Sequence, residues 1–440
     1  MPNPTTVLRA TAVALAAALA VAACGAGSRV PAQSAAEVAC DFPAPPQPVT
    51  VNVLAYNSSA IDPFTNTMVK SCSKNGVTLN HEPIDFAGQV QKTTATLAGD
   101  TGTYDILETY GFVVPQYASQ QKLQPLDDLV AQFDQQYGLS EINADMRQAL
   151  SYDGKLYGLP MQAQMYVMAY RKDVFEQLGL QPPTTFAELR DVAAKIQQAG
   201  EIRYPVALPL LASSDIATAY DAALGSLGVD YVDAATMRPN FDRPEAAQAF
   251  EELRSLQAYM DPQVTTFDQP RVQQQMYNGS AAIAIMFSGR MNDLTQASNS
   301  RFAQQFAFAP PPSVAGGDTL YNVLSVDGWS IPANAEADSG LLFEMIASSV
   351  SVDASRASVP AAYPARDGIV TAESSPYAAA AQQSIGKAPP AEPFPWTSRI
   401  ANDTRATVAD VITGAVPVAE GTARMQEIAT QILAEYQPDA

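Results

Sequence analysis

The chain has 440 residues, too many for a single growing core, so two domains are the starting expectation. Hydrophobic residues make up 47% and charged residues 16%, the balance of a globular chain and not of a disordered one. The formal net charge of −20 argues against nucleic acid as a partner and against a polybasic contact with a membrane.

In chain order, Arg9 precedes a run of small apolar residues that ends in LAVAAC, with Cys24 last. This stretch resembles a bacterial lipoprotein signal peptide (residues 1–23) cut before Cys24, which would then carry the lipid. The resemblance implies an extracytoplasmic protein anchored to the cell membrane. The run is too short and too alanine-rich for a membrane span, and no later stretch reaches about 18 uninterrupted apolar residues. Residues 24–48 are rich in proline and small side chains and are expected to be a flexible tether. The first strand is predicted at VTVNVLAY (49–56), a helix at 60–73, a strand within 75–84, a helix at 88–99 and a third strand at 103–110. Strand and helix alternate, which is the order of an α/β layer. Residues 115–130 read as helix, turn and helix start, and Asp153-Gly154 as the turn of a hairpin within 151–160. A strand running into a short helix is predicted over 165–180, with helices at 184–199 and 244–260. Thr184 or Thr185 caps the former, and Pro244 suits the first turn of the latter. A strand follows at 281–287, another segment at 322–335, and helices at 338–352, 400–412 and 419–435.

Three cysteines leave Cys40 and Cys72 once Cys24 is set aside. Outside the cytoplasm two such thiols tend to pair, the alternative being two free buried thiols. The single histidine, His81, reads as a surface or packing residue, and without CxxC no metal centre is expected. GxSxG, GxxxxGK[ST] and GxGxxG are absent from the sequence, so neither a hydrolase elbow nor a nucleotide cradle is indicated. No cofactor is expected, and the chain reads as a non-enzyme.

Three stretches carry a more specific likeness: YDGKLYGLPMQAQMYVMAYRKDVFEQLGL (152–180), MYNGSAAIAIMFSG (276–289) and VLSVDGWSIPANA (323–335). Weaker ones are LAGDTGTYDILET (97–109) and VPAAYPARDGIV (359–370). In this order they resemble the extracellular solute-binding proteins of carbohydrate ABC importers, the large maltose-binding-like class. Tyr104 stands where that family has proline, and Asp327 where it commonly has glycine. The resemblance implies a periplasmic-binding-protein-like α/β fold of two lobes, with a hinge and a ligand cleft between them. Crossings between lobes are expected near 162–165, 284–288 and 324–328. The implied lobes are 49–163 with 287–324, and 164–286 with 325–440. Implied partners are a small carbohydrate or polyol and the permease subunits of the importer, with the protein itself a monomer.

A sugar presents apolar C–H faces and a rim of hydroxyls, so it takes a flat ring beneath it and polar groups at its edge. The aromatic candidates are Tyr56, Tyr110, Trp329 after Gly328, and Trp396. The polar ones are Asn57, Gln162, Gln164, Asp327 and Arg366, with Asp85 and Glu108 weaker. Other solutes stay open: a glycerol-phosphate ester, a peptide or a polyamine, as does an exported carbohydrate-active enzyme. Arg290 and Arg366 facing one pocket would favour an anion; several acids clustered there with aromatics would favour a cation.

Overall fold

A computed structural model describes residues 35–436. The expected signal peptide, Cys24 and the first part of the expected tether lie outside the described residues.

The first lobe begins with β1 (Val49–Leu54), α1 (Asp62–Cys72), β2 (Val77–His81), α2 (Phe86–Ala98) and β3 (Ile106–Tyr110). The strands are parallel in the order β2-β1-β3, as strand–helix–strand units require. Helices α3 (Val114–Ser119), α4 (Asp127–Tyr137) and α5 (Ala144–Ala149) follow. The hairpin β4 (Ser151–Tyr152) and β5 (Lys155–Leu156) turns at Asp153 and Gly154, both at positive φ (48° and 73°) as a tight hairpin turn requires.

The long strand β6 (Leu159–Arg171) serves both lobes. Its first half, to Met165, pairs with β12 (Leu324–Ser330), which also pairs with β3. From Tyr166 on it pairs with β10 (Ile283–Phe287). The crossover therefore falls between Met165 and Tyr166, close to where the sequence placed it.

Between β6 and β10 the second lobe adds α6 (Lys172–Leu178), α7 (Phe186–Gln198), β7 (Val206–Ala207), α8 (Asp215–Ser226), the short pair β8 (Val232–Asp233) and β9 (Arg238–Pro239), α9 (Pro244–Ser255) and α10 (Gln269–Asn278). After β10 come α11 (Met291–Leu294) and β11 (Phe306–Ala309), then β12. The chain ends in α12 (Ser339–Ser349), α13 (Val352–Ser358), α14 (Ala378–Ile385), α15 (Thr397–Thr413) and α16 (Val418–Ala434). Thr185 Oγ1 caps α7 by accepting from Glu188 N, and Pro244 opens α9. Among the described residues no helix is long and apolar enough to cross a membrane.

Two expectations need correction. The lobes of 287–324 and of 325 to about 365 are exchanged, whereas the C-terminal helices lie on the second lobe as expected. β11 pairs with the second-lobe half of β6, so the chain does not leave that lobe at 284–288. It returns at β12, and α12 and α13 then pack on α1 of the first lobe. It crosses again after residues 363–365, where Ala163 N donates to Tyr363 O and Ala365 N to Met161 O. Helices α14 to α16 belong to the second lobe, on β6, β11, α8 and α9. Apolar alternation predicts a strand but not its partner, and pairing decides the lobe.

The tether is the second. Its described part is packed, not free. Cys40 is fully buried and bonded to Cys72 (Cα–Cα 5.5 Å), Ala36 N and Val38 N donate to Thr67 and Ser71 on α1, and Tyr137 OH donates to Ala39 O.

Candidate functional site

The carboxyl ends of β1 and β3 open onto the seam between the lobes, where ligands of α/β sheets gather. Tyr56 follows β1 and Tyr110 ends β3. Phe86 is the first residue of α2, whose cap is Asp85: its Oδ1 accepts from Gly88 N at 2.7 Å. Asp85 thereby serves as a helix cap. Four rings form a chain: Tyr56 and Phe86 meet edge-on (6.1 Å between centroids), Phe86 and Tyr110 likewise (5.6 Å), and Tyr110 stacks on Phe112 (5.3 Å). Phe112 is 46% exposed, unusual for so large an apolar side chain beside a seam.

Carboxylates lie beneath these rings. Glu108, the middle residue of β3, is 1% exposed. Its Oε2 accepts from Tyr56 N at 2.6 Å. Asp327 lies on β12 across from Tyr110 on one side and Gln162 on the other. Its Oδ2 accepts from Gln162 Nε2 and Gln164 Nε2, both at 3.0 Å, and its Oδ1 from Ser325 Oγ at 3.2 Å. Gln162 and Gln164 stand two apart on an extended strand and so share a face, as the sequence spacing implied. Burial raises the pKa of Asp327 to about 6, against the lowering pull of these three donors. Burial raises Glu108 well above the usual carboxylate range, and the charge of Asp327 adds to it. Asp62 opens α1 and is pushed to about 6, again by burial; it accepts from Asn57 Nδ2 at 3.1 Å and Ser58 N at 3.2 Å.

The second lobe meets this surface at Ser288–Arg290. Arg290, 5% exposed, donates to Tyr56 OH and lies over its ring, 5.6 Å from the centroid. Burial works against the charge of Arg290, and Tyr56 and Asp293 more than offset it. Gln273 Nε2 holds the backbone of Arg290 by donating to its carbonyl at 2.9 Å. Gly289 N donates to Gln164 Oε1 at 3.2 Å, and a Cβ at Gly289 would lie 2.9 Å from Ala60 Cβ. Only glycine lets the lobes approach this closely. On another side of the seam Ser398 Oγ donates to Gln116 Oε1 at 2.5 Å, so the lobes are in contact there as well.

Tyr56, Asn57, Tyr110, Gln162, Gln164 and Asp327 are thus brought together. Four other candidates are not. Trp329 is 0% exposed, in the first-lobe core, in register with Glu108 and Leu159 at the centre of the sheet. Gly328 gives room to the protein itself: a Cβ there would lie 2.4 Å from Leu150 Cδ1 and 2.6 Å from Leu159 O. Arg366, 4% exposed, donates to the carbonyls of Val350 (2.7 Å), Gly138 (2.6 Å) and Tyr137 (2.7 Å). It ties the C-terminal end of α4 to the turn after α12, where carbonyls lack helical partners. Trp396 is stacked on Phe394 (4.8 Å) with Tyr436 at its edge (5.6 Å), apart from the ring chain. Phe86, Phe112 and Asp62, which are not among the candidates read from the sequence, lie in the same cluster, as does Glu108. The doublet Tyr110-Gly111-Phe112 at a strand end was the available signal.

The model of the bacterial extracellular solute-binding protein family matches residues 63–343. The chain belongs to that family. A relative within reach is the mannitol-binding protein of Pseudomonas aeruginosa, 27% identical over 256 residues, which cover 56% of each protein. The chain therefore spans about half the length of this curated relative. Among solved structures, the ribitol complex of a solute-binding protein from Agrobacterium radiobacter K84 superposes with a TM-score of 0.78 at 20% identity, over 89% of this chain and 100% of that one. Maltose-bound MalE3 of T. maritima gives 0.78 at 16% identity, over 87% and 99%. At these identities the likeness establishes the fold: a periplasmic-binding-protein-like pair of α/β lobes.

Proposed function

We propose that this solute-binding protein is the extracytoplasmic capture subunit of an ABC importer for a sugar, oligosaccharide or polyol, which it delivers to the permease. The observation that carries this reading is the ring chain Tyr56–Phe86–Tyr110–Phe112 laid beside Asp327, Gln164 and Asn57 at a seam between lobes. Rings take the C–H faces of a polyhydroxylated ligand; carboxylates and amides take its hydroxyls. The named ligands of the similar proteins, mannitol, ribitol and maltose, support the same class. The capture subunit is non-catalytic and monomeric, and acylated Cys24 holds it at the membrane. The bridge between Cys40 and Cys72 keeps the start of the described chain on the first lobe.

The test is a thermal-shift panel containing mannitol, ribitol, maltose and their relatives, followed by solution scattering with any compound that responds. Stabilisation together with compaction or retained closure of a monomer is the expected result. A panel without a single response would sink the reading, as would turnover of a responding compound. Palmitate labelling that survives Cys24→Ser would remove the anchor.

A further inference from the structure

The first-lobe side of the seam holds more buried carboxyl groups than it has cations to pair with them. Glu108 Oε1 makes no hydrogen bond of ordinary geometry, although the residue is 1% exposed; the Tyr110 hydroxyl beside it is turned to Gln89 Oε1 at 3.2 Å. The charges that act most on Glu108 are Asp327 and Asp62, both negative. Asp327 takes its donors from two amides and a hydroxyl, all neutral. Arg290, the buried cation of the seam, is engaged with Tyr56 and Asp293. Arg366, the other arginine the sequence offered to an anion, is spent on backbone carbonyls. Tyr56 and Tyr110 flank Glu108, and Phe86 packs against both.

An ionised carboxylate in such a place is costly unless it is both hydrogen-bonded and paired with opposite charge. A ligand hydroxyl supplies the hydrogen bond alone. A protonated amine supplies up to three donors and the charge, and ring faces attract it further. We propose that the ligand carries a protonated amino group among its hydroxyls, as an amino sugar or amino polyol does, with the ammonium seated between Glu108 and Asp327. The proposal deepens the capture reading of this cleft and rests on it.

Titration calorimetry at neutral pH compares two matched pairs, glucamine with sorbitol and glucosamine with glucose. The expected result is an amine member that binds at least about 10-fold tighter than its neutral partner in one pair. Glu108→Gln, which keeps the shape and removes the charge, should bring that ratio toward one. Asp327→Asn is the second variant, and the wild-type ratio stands if neither folds. Neutral members binding as tightly as the amines, or a response confined to the neutral compounds of the wider panel, overturns the proposal and leaves solute capture standing. No binding by any of the four, with no response in the wider panel, overturns both.

Discussion

Truncating Trp329 to alanine separates a core role from a binding role. The indole is 0% exposed at the centre of the first-lobe sheet, and its Nε1 has no hydrogen-bond partner, so it contributes by apolar burial alone. Tryptophan buries roughly 150–250 Å², which at about 25 cal/mol per Å² is on the order of 4–6 kcal/mol before any relaxation. Measured truncations of this kind cost about 3–5 kcal/mol. In a lobe of this size the melting temperature should fall by on the order of 10 °C. Trp329→Phe, which keeps part of the volume, should lose less than half of that. Binding to whichever compound stabilises the wild type should change little at temperatures where the variant is folded. The neighbouring register positions are Glu108 and Leu159, so any small effect on affinity would be transmitted through β3. Differential scanning calorimetry beside isothermal titration on the same variants reads both quantities. A melting temperature within about 2 °C of the wild type, with affinity reduced tenfold or more, would refute the placement of this ring in the core.

Arg366→Ala should behave in the same way for a polar reason: three carbonyls lose a buried charged donor, at roughly 1–3 kcal/mol for each group left without one, and chemical denaturation should show the loss with affinity retained. Reducing the bridge between Cys40 and Cys72, which lie 32 residues apart, should lower stability by about 3–4 kcal/mol in the chain-entropy account; thermal melts with and without reductant measure it, and unchanged melts would contradict the bond. Burial raises Asp62, Asp215 and Asp327 to about 6, Asp221 to about 7 and Glu392 to about 8. A carboxyl whose folded pKa is raised holds its proton better in the folded state, so the ligand-free protein should lose stability as pH rises from about 4 to about 8. A melting temperature that climbs steadily from pH 5 to pH 7.5 would show that these groups do not control the profile.

Local rules read well in this sequence because their causes are local. The turn at Asp153-Gly154, the cap at Thr185 and the opening of α9 at Pro244 depend on a few adjacent residues, and each is where the pattern put it. The same holds for Gln162 and Gln164, whose shared face follows from strand geometry alone. What failed depended on partners far away in the chain. β11 joins the half of β6 after the crossover and β12 the half before it, and that choice assigns residues 287 to about 365 to their lobes. Trp329 and Arg366 misled for a related reason. A tryptophan after a glycine and an arginine in a loop have the chemistry to bind a sugar, but the same chemistry serves a sheet core and a helix end.

Glu108 errs in the opposite direction. In the middle of β3, it is only a weaker candidate in the sequence because no spacing selects it. Its character comes from β12, 219 residues further on, which sets Asp327 beside it, and from Tyr56 just after β1, whose backbone N–H donates to it. A buried acid with one oxygen satisfied is an expensive feature to keep in a sheet that could have held a leucine there. The expense is explained when the oxygen's partner arrives with the ligand. With the lobes in contact, Glu108 and Asp327 are 1% and 2% exposed, and Arg290 lies on Tyr56 without a hydrogen bond to either acid. An amine held there would be bound more tightly by closure, because the attraction between its charge and the two carboxylates grows as water leaves. A neutral polyol would gain only hydrogen bonds from the same movement, which is why matched pairs differing by one amino group bear directly on what this cleft is built to hold.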